Sequence, residues 1–422
     1  EQGNIKAQFE LGEAYLKGKG VLQDYVEAVK WYLLAANEGD MKSQAKLGYI
    51  YFEGLGVSRD RKKAANWYRL AAEQGDIGSQ AKLGKMYSEG SGVLKSYKQA
   101  IKWYMLAADQ GSIEAQSSLG EIYAKGQGVS QNLQEAVKWY HLAADQGSIE
   151  AQSSLGEIYI KGQGVSQNSN EGVKWYMLAA DQGSTKAQFS LGEIYAKGQG
   201  VSQNSQEAVK WYMLAADQGS TEAQFSLGEI YAKGQGVSQN LQEAVKWYHL
   251  AAEQGRAEAQ SSLGAMYAEG TGVEKNYKEA ITWFISAAKQ SDSNGQCYLA
   301  NMYIKGLGVS ENYQEAIKWF LLAAEQGNIK AQFELGEAYL KGKGVLQDYE
   351  EAVKWYLLAA NEGDMKSQAT LGYIYYEGRG VSRNKKKGVY WYGLAAKQGD
   401  TTSQSKLGKM YSEGSGVLKS YK

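Results

Sequence analysis

The sequence predicts an all-α fold, a solenoid of about eleven and a half helix-loop-helix repeats of 36 residues each. Three series recur at this spacing: eleven tryptophans from Trp31 to Trp391, twelve tyrosines from Tyr15 to Tyr411, and a Gly-x-Gly-Val motif from Gly18 to Gly416. Such a period is typical of architectures in which each repeat contacts its neighbours. We expect residues 1–422 to form one continuous array, with repeats that start near 4, 40, 76, 112, 148, 184, 220, 256, 292, 328, 364 and 400.

Each repeat begins with a stretch that has the pattern of an amphipathic helix, which we name helix A. In the repeat at 220–255, Ser220 is placed to cap the N-terminus of this helix. Apolar residues such as Ala223 and Leu227 then follow at the spacing of one helical face. Gly234 is predicted to end the helix in the left-handed conformation.

A glycine-rich loop and a second helix, helix B, complete the repeat. Gly236 is predicted to turn the chain, and Val237 to close the corner against the core. Asn240, followed three residues later by Glu243, predicts a capping box in which each side chain bonds the backbone N–H of the other residue. Two helices cannot bury their apolar faces alone, so successive repeats must stack.

A glycine interrupts helix A at the same position in eleven of twelve copies, for example at Gly228. Glycine costs a helix about 1 kcal/mol relative to alanine, so its recurrence predicts the close approach of a neighbouring helix. We expect the alanine pair of helix B, here Ala215 and Ala216, to supply the matching small surface. The large aromatic rings would then fill the space between repeats.

Composition excludes several classes of function. The 46 Lys and Arg residues balance 46 Asp and Glu residues, which argues against a nucleic-acid binder. No apolar run is long enough to predict membrane insertion, and the first residues lack the basic and apolar regions of a signal peptide. The single cysteine, Cys297, allows no intrachain disulfide and no cysteine-based metal site, and we interpret it as a small apolar filler.

The pattern A-x-x-x-L-G-x-x-Y-x-x-G-x-G-V, followed by A-x-x-W-Y-x-x-A-A-x-x-G, resembles the Sel1-like repeat, a relative of the tetratricopeptide repeat. The resemblance covers the whole chain. It implies a right-handed superhelix with helix A on the concave side, and a role as an adaptor or scaffold for protein partners. It also implies a bacterial protein of the envelope or host interface. The paired cysteines of the family's disulfide-rich branch are absent, so the penicillin-binding activity suggested for that branch is not carried over.

Whole blocks of repeats are duplicated as well. Residues 1–76 recur at 325–400 with eleven differences. No polar capping repeat is visible at either end, so we expect the sequence to be a window of a longer array. The sequence departs most from the repeat pattern between 256 and 300. This segment is either specific for a partner or the diverged boundary between two duplicated blocks.

No residue departs from the repeat in the way that a catalytic or metal site requires. The Gly-x-Gly-Val motif lacks the further residues of a dinucleotide or phosphate loop. His141 and His249 occupy the same position three repeats apart, and other ligands do not converge on them. We therefore predict no catalytic residue, no cofactor, no metal and no enzymatic activity.

The position two residues after the helix A leucine, which we name the L+2 position, is the predicted partner-binding position. Its candidate residues are Tyr49, Lys85, Glu121, Glu157, Glu193, Glu229, Asn301, Glu337 and Tyr373. In the central repeats, lysine follows the glutamate four residues later, which predicts a self-neutralised, solvated face as the alternative for Glu121, Glu157, Glu193 and Glu229. Exposed aromatic residues outside the recurring positions are further candidates: Tyr49, Tyr298, Tyr373, Tyr376 and Tyr390.

These observations predict a non-enzymatic protein-protein interaction scaffold that binds a protein or peptide on the concave helix A surface. The alternative is a structural rod or filament-forming array, which would associate end to end with copies of itself.

Overall fold

The computed structural model describes residues 4–417, and within that range the chain forms 23 α-helices and no β-strand. The helices alternate between helix A and helix B. The helices A are α1 (Ile5–Lys17), α3 (Met41–Glu53), α5 (Ile77–Glu89), α7 (Ile113–Lys125), α9 (Ile149–Lys161), α11 (Thr185–Lys197), α13 (Thr221–Lys233), α15 (Ala257–Glu269), α17 (Ser293–Lys305), α19 (Ile329–Lys341), α21 (Met365–Glu377) and α23 (Thr401–Glu413). The helices B are α2 (Tyr25–Asn37), α4 (Arg61–Glu73), α6 (Tyr97–Asp109), α8 (Leu133–Asp145), α10 (Ser169–Asp181), α12 (Ser205–Asp217), α14 (Leu241–Glu253), α16 (Tyr277–Lys289), α18 (Tyr313–Glu325), α20 (Tyr349–Asn361) and α22 (Lys385–Lys397).

The chain divides into two compact units, with the division between Ala215 and Ala216 inside α12. Both units consist of the same helix pairs. In each, helix A packs on helix B of its own repeat, and helix B packs on helix A of the next repeat. Successive helices A also touch, as α5, α7 and α9 do. The predicted all-α solenoid of 36-residue repeats is confirmed.

The hydrophobic core lies between repeats as much as within them. The cluster around α6 contains Tyr104 from helix B, Leu119 from the following helix A, and Trp139 from the helix B after that. The loop valine Val129 packs against the same cluster, as predicted for the valine of the Gly-x-Gly-Val motif. Each apolar face is therefore buried by the next repeat along the chain.

Polar side chains and glycines set the ends of helix A. The Ser220 Oγ accepts a hydrogen bond from the Ala223 N–H at 3.2 Å, which is the predicted N-terminal cap. Gly234 ends the helix with φ 69°, and Gly236 turns the chain with φ 79°. Both glycines occupy the left-handed region, in which a side chain is strained.

The predicted capping box is only half formed. The Asn240 Oδ1 accepts from the Glu243 N–H at 3.1 Å, but the Asn240 N–H donates to the Tyr231 carbonyl oxygen at 2.9 Å. Because that N–H already has a partner, Glu243 pairs with Lys246 instead. The prediction of a reciprocal box is therefore wrong, and the bond to Tyr231 ties the start of helix B to helix A.

The recurring helix A glycine makes room for an aromatic ring. A Cβ atom on Gly228 would lie 2.5 Å from the Cδ1 atom of Tyr248, the residue after the recurring tryptophan. The expectation that the alanine pair of helix B covers this glycine is wrong. That pair, Ala215 and Ala216 in α12, is buried, and the Ala216 carbonyl oxygen accepts a hydrogen bond from the Gln224 Nε2 of α13, one turn before Gly228.

A buried glutamine of helix A connects successive helices B. The Gln116 Nε2 donates to the Ala108 carbonyl at 3.1 Å, and the Gln116 Oε1 accepts from the Gln146 Nε2 at 2.7 Å. Gln116 is only 4% exposed, so both bonds are shielded from water. The same amide pair recurs at Gln44 and Gln74, at Gln80 and Gln110, at Gln260 and Gln290, and at Gln296 and Gln326.

Two copies of this amide connection are incomplete. The partner position of Gln332 is Glu362, and the buried Gln332 Oε1 has no hydrogen-bond partner. Gln8 lacks a partner at Oε1 in the same way, because its partner position is Glu38. A carboxylate has no N–H to donate, so the acceptor is left unsatisfied.

The irregular segment between 256 and 300 has the same backbone conformation as the other repeats. Ser291 replaces a glycine and still has φ 65°, the one positive φ of a non-glycine residue within 4–417. Arg256 replaces a helix cap, and its side chain makes no capping bond but lies over the Phe225 ring, 4.4 Å from the centroid.

Gly228→Ala is expected to destabilise the chain by about 1–3 kcal/mol, because the new methyl group overlaps the Tyr248 ring. Gly393→Ala in α22 is the matched control, since no atom lies within 4 Å of its Cβ position. It should stabilise by about 1 kcal/mol through helix propensity. Urea unfolding followed by circular dichroism measures both. An unchanged or raised midpoint for Gly228→Ala would contradict the packing role.

Glu362→Gln is expected to stabilise the chain by about 1 kcal/mol, because the new amide N–H can donate to the unsatisfied Gln332 Oε1. Glu38→Gln should do the same for Gln8. Glu73→Gln removes an exposed charge beside the complete Gln74 connection, and it should leave the urea midpoint unchanged. Equal effects of the three substitutions would show that charge, not the amide bond, is responsible.

Candidate functional site

The L+2 residues all lie on the outward side of helix A. Tyr49 is 47% exposed, and Lys85 and Glu121 are also exposed. The others are half-buried: Glu157, Glu193, Glu229, Asn301, Glu337 and Tyr373.

The glutamates of the central repeats pair with lysines of their own helix. The Lys125 Nζ lies 2.5 Å from the Glu121 Oε1, in the predicted i,i+4 arrangement. The same arrangement recurs in Lys161–Glu157, Lys197–Glu193 and Lys233–Glu229. The predicted i,i+4 ion pairs are therefore present in these four helices.

Glu157 has a second partner in the next repeat. Its Oε2 lies 2.9 Å from the Nζ of Lys186 in α11, and its Oε1 lies 2.6 Å from the Nζ of Lys161. Hydrogen bonds from Lys161 and then Lys186 lower the pKa of Glu157. This carboxylate therefore stays charged and links two successive helices A.

At the L+2 position of the first repeat, a carboxylate meets a tyrosine of helix B. The Tyr32 hydroxyl donates to the Glu13 Oε1 at 2.8 Å. Partial burial raises the pKa of Glu13, but hydrogen bonds from Lys17, Lys46 and Tyr32 outweigh it and lower the pKa to about 2. In the duplicated block, the Tyr356 hydroxyl likewise donates to the Glu337 Oε1 at 2.6 Å.

The remaining candidates are held by local contacts. The Asn301 Nδ2 donates to the Cys297 carbonyl at 2.9 Å, so its amide is engaged by its own helix. The Arg379 guanidinium lies over the Tyr373 ring at 5.3 Å from the centroid.

Three of the nine candidates, Lys85, Glu121 and Glu157, line one groove of about 1140 Å³ in the first unit. The groove crosses the outward sides of α5, α7 and α9, and Lys186 of α11 also lines it. Two tyrosines of helix B, Tyr104 and Tyr140, form part of its lining and are themselves largely buried.

A serine opens this groove where other repeats have phenylalanine. In α11, the Phe189 ring packs against Tyr212 with 5.7 Å between ring centroids. The corresponding residue in α7 is Ser117, which lines the groove with Tyr140. We did not predict this position from the sequence. The signal was the alternation of A-Q-S-S and A-Q-F-S between otherwise similar repeats.

A smaller groove of about 400 Å³ lies in the second unit. Ser261 takes the phenylalanine position there, and Tyr248 and Tyr298 line the groove. Ser262 and Asn294 also line it, so the irregular segment between 256 and 300 contributes most of this surface.

The larger groove presents neutral hydroxyl groups between charged rims. Burial raises the pKa of Tyr140 to about 12, although a hydrogen bond with the Ser154 hydroxyl acts in the opposite direction. Burial likewise raises the pKa of Tyr104. Both phenols therefore stay protonated at neutral pH and can donate or accept hydrogen bonds. Such a surface suits the polar groups of a peptide main chain.

The glycine-rich loops serve packing between repeats. A Cβ atom on Gly128 would lie 2.2 Å from the Cβ atom of Tyr97, at the start of the preceding helix B. The second glycine of the motif therefore allows that helix to approach the loop.

Both histidines and the cysteine singled out by the sequence lie in packing positions, and the His249 imidazole meets the Trp283 ring edge to face. The His141 Nε2 is 3.0 Å from the Tyr159 hydroxyl, and the imidazole meets the Trp175 ring edge to face. Cys297 is buried, and burial raises the pKa of its thiol to about 11. Within residues 4–417, no three metal-ligating side chains converge. In the part of the chain that the structure describes, no helix has the length and apolar character needed to cross a bilayer.

Glu13→Gln is expected to remove a contribution to stability that depends on pH. The folded-state pKa of about 2 lies below the ordinary 4.5, so the contribution is present above pH 4.5 and is lost as pH falls toward 2. The difference in urea midpoint between wild type and variant should therefore shrink over that range. Glu10→Gln, at an exposed position of the same helix, is the matched control for the loss of a carboxylate. A difference that grows on acidification would contradict this account.

The model of the Sel1 repeat matches the chain twelve times, at residues 5–40, 42–76, 77–112, 113–148, 149–184, 185–220, 221–255, 257–292, 293–328, 329–364, 366–400 and 401–422. No match was found among curated protein sequences.

Two solved bacterial structures are similar. One is a protective antigen of uropathogenic Escherichia coli strains that displays an SLR fold. It is 36% identical with a TM-score of 0.88, over 96% of this chain and 87% of the antigen chain. The other is a Sel1 repeat protein from Oxalobacter formigenes. It is 31% identical with a TM-score of 0.61, over 78% of this chain and 93% of that protein. Solenoids of this kind are typical of protein-protein interaction scaffolds. With twelve matched repeats and these structural neighbours, the chain belongs to the Sel1 repeat family.

Proposed function

We propose that this chain is a non-enzymatic scaffold that binds an extended segment of a partner protein in the groove between Lys85 and Lys186. The groove of about 1140 Å³ on four successive helices A is the observation that carries this proposal. These helices form the side that the family resemblance assigns to the concave face. The acidic groups Glu121 and Glu157 in the groove are paired with lysines, which suits binding better than acid-base chemistry.

The dimensions of the groove match a short peptide. Packed helices lie about 8–10 Å apart, so the path from α5 to α11 is roughly 24–30 Å long. An extended chain rises about 3.3 Å per residue, so this path accommodates about eight residues. The hydroxyls of Tyr104, Tyr140 and Ser118 are placed along it to bond main-chain N–H and C=O groups of the segment.

The charges along the groove give the segment a direction. Lys85 is exposed and forms no ion pair within the described residues, so it is available for an acidic side chain of the partner. Glu121 and Glu157 have lysine partners already, and they act as hydrogen-bond acceptors on the rim. The other L+2 residues occupy the same position in other repeats, where Tyr49 and Tyr373 offer aromatic contacts.

Display of random peptides on the full chain would identify ligands, and fluorescence anisotropy of a selected peptide measures its affinity. Ser117→Phe is expected to weaken binding about tenfold or more, because the ring would cover Tyr140 as Phe189 covers Tyr212. The fold should tolerate this change, since phenylalanine occupies the position in other repeats. Lys85→Glu should weaken the binding of acidic peptides in particular.

Ser58→Phe places the same ring in an exposed loop outside the groove, and it should leave the affinity unchanged. If Ser117→Phe and Ser58→Phe bind the peptide equally well, the groove is not the binding site. Ordered fibres of the pure chain in electron micrographs would instead favour the structural rod.

A further inference from the structure

Helix B carries an exposed leucine on its outward side in every repeat of the first unit. These leucines are Leu34, Leu70, Leu106, Leu142, Leu178 and Leu214, each between 39% and 49% exposed. The apolar cluster around α6 includes the neighbouring Met105 but not Leu106. The fold therefore leaves one apolar side chain uncovered in each helix B of this unit, at the same position of every repeat.

Charged residues flank the leucine on the same helical face. In α6, Lys102 lies four residues before Leu106 and Asp109 lies three residues after it, and all three are exposed. This spacing places the three side chains along one stripe of the helix. The pattern is repeated in α8 by Lys138, Leu142 and Asp145, and in α10 by Lys174, Leu178 and Asp181. The outward side thus has a lysine row, a leucine row and an aspartate row.

The aspartate row has no electrostatic partner inside the first unit. Asp109, Asp145 and Asp181 form no ion pair among the residues that the structure describes, whereas Lys138 and Lys174 pair with glutamates one turn earlier. The aspartates are therefore available to a cation from another molecule.

We propose that this surface binds a second copy of the chain, with the helices B of the two copies antiparallel about a two-fold axis. In a two-fold interface the same patch faces itself, so the patch must be complementary to its own rotated image. An axis through the leucine row satisfies this condition. Leucines then meet leucines, and the lysine row of each copy faces the aspartate row of the other.

A second copy of the chain is also the partner whose leucines have the same spacing along successive helices B. A stable dimer covers about 800 Å² per partner, or about 20–30 residues, which is more than one helix offers. The interface must therefore run over several helices B, and only a partner with the same repeat presents a leucine at each of them. This proposal is independent of the groove on helix A.

The chain itself shows that the fold does not need this pattern. In α16 of the second unit, the three positions are occupied by Thr282, Ser286 and Lys289. All three rows are interrupted in the same helix, yet the helix has the same length and buried face as the others. Serine is therefore a suitable replacement for the leucines in a test.

Sedimentation velocity of the full chain at about 1–100 µM should show a concentration-dependent dimer. The triple variant Leu106→Ser, Leu142→Ser, Leu178→Ser is expected to raise the dissociation constant about 100-fold or more. The control is Leu22→Ser with Leu94→Ser, which removes two loop leucines that are each 91% exposed. A monomeric wild type, or a triple variant that dimerises like the wild type, would overturn the proposal.

Two charge-reversal variants test the antiparallel arrangement without altering the leucines. One carries Lys102→Glu, Lys138→Glu and Lys174→Glu, and the other carries Asp109→Lys, Asp145→Lys and Asp181→Lys. Each variant alone should be monomeric, because like charges would face each other, and an equimolar mixture should form a heterodimer. Failure of the mixture to associate would refute this arrangement. Circular dichroism of every variant confirms that the helices are intact.

Discussion

The buried amide of the helix A glutamine is the interaction on which the stacking of repeats depends. Gln116 is buried, and an unpaired polar atom of its amide would cost about 1–3 kcal/mol. The Gln116 Nε2 donates to the Ala108 carbonyl oxygen, which also accepts from the Gly111 N–H, and the Gln116 Oε1 accepts from the Gln146 Nε2. Apolar contacts alone would tolerate sliding between repeats, whereas two directed bonds at one side chain allow a single register.

The second constraint is the close contact between the helix A glycine and the aromatic ring of helix B. The ring of Tyr140 occupies the volume that a Cβ atom on Gly120 would need. This contact fixes how the two helices of one repeat approach each other, and the glutamine fixes how repeats follow one another. Because both act on inward positions, the outward positions of either helix are free to vary without a loss of fold.

The two outward surfaces of the chain differ in physical character. Helix A presents a polar groove. The groove is deep where a serine leaves the helix B tyrosine uncovered, and it is filled where a phenylalanine covers that tyrosine. Helix B presents single leucines between rows of opposite charge. A deep polar groove suits one extended ligand, whereas a shallow repeated surface gives affinity only when several repeats are engaged together. Under the two proposals, one scaffold would hold a partner protein on helix A and a copy of itself on helix B.

Much of the fold follows from the sequence alone. The 36-residue period and the helix pairs can be read directly from the recurring motifs. The caps at Ser220 and Gly234 and ion pairs such as Glu121 with Lys125 are local patterns, because each depends on residues a few positions apart. The candidate site was only partly predictable. Three L+2 residues, Lys85, Glu121 and Glu157, line the groove, but nothing local in the sequence indicated that they line one groove together.

Only the tertiary structure decided which residues of different helices contact each other. The sequence did not indicate that the N–H of Asn240 bonds Tyr231 rather than Glu243, or that Tyr248 covers Gly228. It did not indicate that Ser117 uncovers Tyr140 where Phe189 covers Tyr212. These contacts join residues that lie 9–23 positions apart. Their geometry depends on how two helices pack, and periodicity specifies which faces are buried but not which atoms touch.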